Sequence, residues 1–170
     1  MNMNYFELFN IPVSLHVNKE QLGSKYFELS RKFHPDYFAN GTDHEQFEAL
    51  ENSAQLNKAY KTFQSREETI KYVLTIKGLL EEEEKYELPP SFLMEVMDIN
   101  EQLMDQEGLE GKAGLALALN DLEKEIYEPV KEIVENYNEN LHSEKELLQV
   151  KEYYYKKKYL DRINRELSAK

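Results

Sequence analysis

His34-Pro35-Asp36 sets an imidazole and a carboxylate two positions apart across a proline, a pattern that could serve proton transfer, metal binding or docking to a partner. Pro35 has no N–H to donate and pushes His34 out of the helical region, so a preceding helix must stop at about Phe33. His34 and Asp36 are then presented to solvent rather than packed. A metal site would have to enlist His34, Asp36, Asp43 and His44, which do not follow a ligand spacing. Nucleophilic catalysis has no support, because no nucleophile accompanies the pair and the chain contains 0 Cys, which also excludes disulfides and thiolate-held metals or clusters. His16 and His142 stand alone. Without a phosphate-cradling glycine loop, the reading is a docking tip in a protein that is not an enzyme, with no metal and no cofactor expected.

Two amphipathic helices must hold this tip. From Asn18, Leu22, Tyr26, Leu29 and Phe33 fall at helical spacing on one face, and Lys25, Arg31 and Lys32 give the outer face a positive character. From Thr42, Ala49, Leu56, Tyr60 and Phe63 form the matching stripe, with Ser53 as a small residue inside it. Long helices joined by a short loop pack antiparallel. Asn18 with Gln21, Thr42 with Glu45, Ser65 with Glu68 and Ser143 with Glu146 read as capping boxes at four helix starts. Tyr5 to Phe9 and the stripe Ile70, Val73, Leu74 would close a compact module over residues 1–77.

A linker is expected at 78–90, where Gly78, the run Glu81 to Glu84 and Leu88-Pro89-Pro90 follow one another. Residues 91–170 read as a three-helix bundle. Its first helix carries Phe92, Val96, Ile99 and Leu103 on one stripe and Leu93, Met97 and Met104, with Met94 beside them, on a second stripe about 100° round. The second stripe is either buried between two neighbours or a Met-rich surface for a protein partner. A loop is expected at Gly108, Gly111 and Gly114. The next helix uses Leu115, Leu119, Leu122 and Ile126 and, past a kink at Pro129, Ile133 and Tyr137. The last uses Val150, Tyr154, Leu160, Ile163 and Leu167.

Composition limits the partners. The chain has 170 residues and a net charge of -12. Residues 1–76 hold 8 basic and 10 acidic groups and residues 77–170 hold 13 and 23, so the second half alone carries -10. That field repels phosphate backbones, and nucleic acid is not expected as a partner even with the run Tyr153 to Tyr159. No apolar run reaches the roughly 20 residues that a membrane span needs. The first 17 residues carry no Lys or Arg, so no targeting segment is legible and a cytoplasmic location is the expectation.

A helix with a basic outer face, His-Pro-Asp, and a helix bearing Leu56-Asn57-Lys58-Ala59-Tyr60 together resemble a J-domain, the module with which co-chaperones act on DnaK-type ATPases. The resemblance implies that His34, Pro35 and Asp36 trigger hydrolysis while Lys25, Arg31 and Lys32 steer docking. Tyr37 departs from the pattern, since many J-domains place Lys there. With the acidic bundle, the opening Tyr5-Phe6-Glu7-Leu8-Phe9, Phe92-Leu93-Met94-Glu95 and Tyr159-Leu160-Asp161, the whole chain resembles the HscB family, co-chaperones of bacterial iron-sulfur cluster assembly. Eukaryotic relatives add a cysteine-rich piece that this sequence lacks, so the bacterial form is expected.

That family implies an all-α fold and two partners. One is a DnaK-type chaperone, HscA. The other is an iron-sulfur scaffold of the IscU type, held by Leu93, Met94, Met97 and Tyr159, with Asp98 and Glu101 as flanking charges. The other readings are a J-domain protein serving a general DnaK chaperone with another client, and a helical binding module without chaperone activity.

Overall fold

The computed structural model describes residues 3–104 and 109–168, and among these every regular element is helical. The chain packs as two compact units, one of residues 1–78 with 134–142, the other of 79–133 with 143–170. The helices are α1 (Tyr5–Phe9), α2 (Lys19–Lys32), α3 (Asp43–Gln64), α4 (Arg66–Ile76), α5 (Pro90–Met104), α6 (Leu109–Tyr127), α7 (Lys131–Asn136) and α8 (Glu144–Ser168), with 3-10 turns at Pro35–Phe38 and Glu128–Val130.

In the first unit α2 and α3 lie antiparallel. Tyr26 stacks on Tyr60 with ring centroids 4.0 Å apart and its hydroxyl donates to Asn57 Oδ1 at 2.7 Å, while Ser53 meets the far end of α2 at Phe33. Apolar positions at helical spacing dictate this pairing, and Leu22, Ala49, Leu56, Ala59 and Phe63 are buried along it. α1 closes the core through aromatic packing: Phe6 and Phe9 lie 4.8 and 5.5 Å from Phe63, and Tyr5 stacks on Tyr72 at 4.2 Å. Ile70, Val73 and Leu74 of α4 are fully buried against the same core. The returning segment 134–142 adds buried Val134 and Tyr137 to this unit, and Glu139 forms an ion pair with Lys77.

The four caps read from the sequence are present in two forms. Thr42 and Ser143 make reciprocal boxes with Glu45 and Glu146, whereas Asn18 and Ser65 act through the cap side chain, which accepts from the backbone N–H groups of the first turn.

In the second unit α6 packs against both α5 and α8, and Phe92, Val96, Leu119, Leu122 and Leu160 form the core, with Leu115, Ile126, Ile163 and Leu167 partly buried around it. α6 and α8 run antiparallel: Lys157 of α8 reaches Glu123 of α6 at 2.5 Å, and Tyr127 and Tyr153 pair at 5.4 Å. Burial pulls the Lys157 ammonium down, but the Asp161 and Glu123 carboxylates outweigh it and hold its pKa above the ordinary lysine value.

Two expectations about this unit need correction. Gly111 and Gly114 do not mark a loop: α6 starts at Leu109 and runs through both. The cost of a helical glycine, about 1 kcal/mol each, is offset by burial of Leu119 and Leu122 from the same helix. Pro129 does more than kink a helix, since the α-helical ladder ends at Tyr127 and resumes at Lys131 after the 3-10 turn. Gly108 lies outside the described residues, as do the side chains of Leu103 and Met104.

Ahead of α5 the segment 84–88 is clamped to α8. Glu84 accepts from Lys151 at 3.0 Å and from the Tyr155 hydroxyl at 3.2 Å, and Tyr86 lies flat on Tyr155 at 4.5 Å. The Lys151 hydrogen bond holds the Glu84 carboxyl below its ordinary value, and burial followed by the Glu84 charge pushes the Tyr155 hydroxyl up to about 12. A carboxyl with a lowered folded pKa stabilises the fold above its unfolded value of 4.5 and loses that contribution as pH falls through the folded value. Glu84→Gln should therefore lower the melting temperature at pH 7, and the gap to the native chain should narrow as pH falls below 4.5. A pH-independent gap would show that the charge of Glu84 is not what stabilises the clamp.

Candidate functional site

Two surfaces, one on each unit, carry the residues singled out by the sequence. On the first unit α2 ends at Lys32, and His34 adopts extended backbone (φ -61°, ψ 129°) before the 3-10 turn that Pro35 opens. Pro35 at the first position of that turn costs no hydrogen bond, because the N–H it lacks would have had no partner there. His34 caps the turn itself: its Nδ1 accepts from the Asp36 N–H at 3.2 Å. In that state the neutral imidazole carries its proton on Nε2. The Asp36 carboxylate lies 3.5 Å from the same Nδ1, a contact that becomes an ion pair only when the ring is protonated. Side-chain exposure is 51% for His34 and 90% for Asp36, so both are presented to solvent.

The turn is fixed from below by α3. Ser53 donates its hydroxyl to the Phe33 carbonyl at 3.0 Å, taking up one of the acceptors that the end of α2 leaves open. Gln46 donates to the carbonyls of Ala39 at 3.0 Å and Gly41 at 3.4 Å, which pins the chain where it enters the Thr42 cap.

The three cations of α2 are not equivalent. Arg31 and Lys32 are exposed, next to the turn. Lys25 is half-buried, and its ammonium donates to the carbonyls of Phe9 at 3.3 Å and Asn10 at 3.1 Å, where it satisfies the C-terminal end of α1 and complements the negative end of its dipole. The outer face of α2 also holds Phe27, 64% exposed, with the Arg31 guanidinium 5.7 Å above its ring. Sequence reasoning passed over Phe27 because it sits next to the core position Tyr26. Its angular distance of about 140° from Leu22 on a helix could have marked it as an apolar residue facing water.

On the second unit α5 divides its apolar residues between two arcs. Phe92 and Val96 are buried and Ile99 is half-buried, while Met94 is 63% and Met97 58% exposed. Leu93 is half-buried at the edge, and Asp98 and Glu101 are exposed on the outer arc with the methionines. Tyr159 is half-buried on α8, edge to face with Phe92 at 6.1 Å. Thus Leu93, Met94, Met97, Asp98 and Glu101 share one surface, and Tyr159 joins α5 through Phe92. Among the described residues no cluster of three or more His, Cys, Asp or Glu could hold a metal ion, and no helix is long and apolar enough to cross a membrane.

Residues 88–168 match the family described as HSCB C-terminal oligomerisation domain. The chain is 36% identical over 102 residues to a co-chaperone protein HscB homolog of Vibrio cholerae serotype O1, covering 59% of this chain and 60% of that one. It is 40% identical over 104 residues to the homolog from Colwellia psychrerythraea, 61% of this chain and 59% of that one. The matched stretch therefore spans about 60% of the length of these curated relatives. The crystal structure of human co-chaperone protein HscB superposes with a TM-score of 0.75 at 25% identity, covering 99% of this chain and 82% of that one. Chaperone HscB from Vibrio cholerae superposes with a TM-score of 0.68 at 24% identity, covering 98% and 96%, and shows the same fold.

Ser53→Ala should cost about 1 kcal/mol, because it leaves the half-buried Phe33 carbonyl without its hydroxyl donor. Urea denaturation measures this directly, and an unchanged midpoint would mean that water replaces the bond at no cost.

Proposed function

We propose that this chain, whose residues 88–168 match the HscB C-terminal family and whose fold is shared with HscB structures, is HscB-like and acts as a two-handed co-chaperone in the cytoplasm. Residues 1–77 serve as the J-domain. The turn His34-Pro35-Asp36 docks on a DnaK-type chaperone of the HscA kind and triggers its ATP hydrolysis. Arg31 and Lys32 steer the approach, and Lys25 contributes mainly by seating α1 beneath α2. Phe27 beside Arg31 adds apolar contact to that basic face.

Residues 91–170 hold the client, an iron-sulfur scaffold of the IscU type. Leu93, Met94 and Met97 offer unbranched or flexible apolar side chains that adapt to a partner, Tyr159 extends the surface, and Asp98 and Glu101 set its polar edge. The observation that carries the reading is the pair of surfaces on one chain: an exposed His-Pro-Asp turn next to exposed cations, and an exposed methionine arc on a helix whose other arc is buried. Holding both partners on one chain raises the effective concentration of client at the chaperone, so two modest affinities act together. Joint stimulation by client and co-chaperone is then a coupling free energy between sites on the chaperone. In this scheme the protein carries no nucleotide or cluster, performs no chemistry of its own and has no nucleic-acid partner.

Asp36→Asn and His34→Gln should each return the ATPase rate of an HscA-type chaperone to its unstimulated level while scaffold affinity and melting temperature stay at native values. Normal stimulation by either variant contradicts the role of the turn. Stimulation of a general DnaK chaperone but not of HscA would assign the protein another client, and no effect on either would leave a helical binding module. Leu93→Ala with Met97→Ala should weaken scaffold binding about tenfold or more by calorimetry, with basal stimulation unaffected. Unchanged affinity would remove the methionine arc from the scaffold interface.

A further inference from the structure

The second unit is strongly acidic, yet one groove on it is basic. Between segment 84–88 and the outer face of α8 lies a concavity of about 420 Å³ floored by Tyr86, Leu88, Tyr155 and Tyr159. Its rim is Lys85, Lys158, Arg162 and Arg165. The last three recur at spacings of four and three on α8 and so point the same way. Glu84 also lines the groove, but its charge is matched by Lys151 at 2.9 Å. Among the described residues no carboxylate lies within 4.0 Å of Lys85, Lys158, Arg162 or Arg165, whereas Lys77, Lys151, Lys156 and Lys157 all have one. Their nearest recorded company is aromatic: Lys158 lies 6.0 Å above the Tyr155 ring and Arg162 5.1 Å above Tyr159.

Four cations left unpaired in a half-chain of net charge -10, gathered over a floor of stacked tyrosines, form a surface complementary to carboxylates with an apolar residue between them. We propose that this groove binds an acidic segment of a protein partner, with Arg162, Arg165, Lys158 and Lys85 pairing its carboxylates and Tyr86, Tyr155 and Leu88 receiving an intervening apolar side chain. The floor is preorganised, because the Tyr86–Tyr155 stack, with planes 5° apart, is held by the Glu84 clamp and needs no ordering on binding. A long polyanion such as RNA fits less well, since beyond the groove its phosphates meet the acidic body of the unit. Tyr159 also borders Phe92 of α5, so a protein seated on Met97 can extend such a segment into the groove.

A dye-labelled ten-residue peptide of Glu and Asp with two Leu tests this by fluorescence anisotropy on the full chain. The native protein should bind it, more weakly as salt rises, and Arg162→Glu and Lys158→Glu should each raise Kd about tenfold or more. Lys145→Glu, an exposed cation elsewhere on α8, should leave Kd unchanged. The same peptide with Gln and Asn in place of the acids, and a ten-nucleotide single-stranded RNA, should bind at least tenfold more weakly. If Arg162→Glu lowers the melting temperature, Lys158→Gln carries the expectation instead, at about threefold. Equal Kd for native and variant chains, equal binding of the amide peptide, or tighter binding of the RNA would overturn the proposal. The peptide assay involves neither chaperone nor scaffold, so its failure and a failure of the co-chaperone reading are separate results.

Discussion

Pro35 has no backbone N–H, and its ring excludes helical geometry from the residue before it. This one constraint ends α2, turns His34 extended and starts a four-residue 3-10 turn within reach of α3. His34 then serves its own turn as a cap, so the imidazole is oriented by the same backbone it interrupts. Ser53 and Gln46 complete the arrangement from α3 by occupying carbonyls that the break leaves open. The result is an exposed tip held by hydrogen bonds both within its own turn and from α3. A flexible loop of the same residues would lose conformational entropy on docking that this one has already lost on folding.

The second unit uses the same economy on a helix instead of a turn. α5 is apolar around more of its circumference than a surface helix needs, and its residues divide cleanly, with Phe92 and Val96 buried and Met94 and Met97 facing water. Methionine lowers the penalty of such exposure, because its flexible thioether accommodates whatever covers it.

Periodicity in the sequence read most of this correctly, because the burial of Leu22, Leu56, Phe63, Phe92, Leu119 and Leu160 follows directly from the 3.6-residue repeat. Capping residues likewise fixed the starts of α2, α3, α4 and α8. What escaped depends on tertiary packing. Gly111 and Gly114 have low helix propensity, and only the packed face of α6 overrides it. Lys25 looked like its neighbour cations until the end of α1 came within reach of its ammonium, 15 residues away in sequence. Nothing local announces that Val134 and Tyr137 return to the first unit, since an apolar pair after a proline break is equally consistent with a continued bundle helix. The chemistry of the turn was legible because proline imposes it locally, whereas exposure of the methionine arc was not, because two stripes on one helix leave the buried one undecided.

The most direct test is amide hydrogen exchange on the full chain, with the chaperone in its ATP state and the scaffold added separately. The expected result is protection of residues 31–37 by the chaperone alone and of residues 93–98 by the scaffold alone, with both footprints present in the ternary mixture. Protection of the same segment by both partners, or no protection at the proline turn with the chaperone bound, would contradict a protein built with one hand for each.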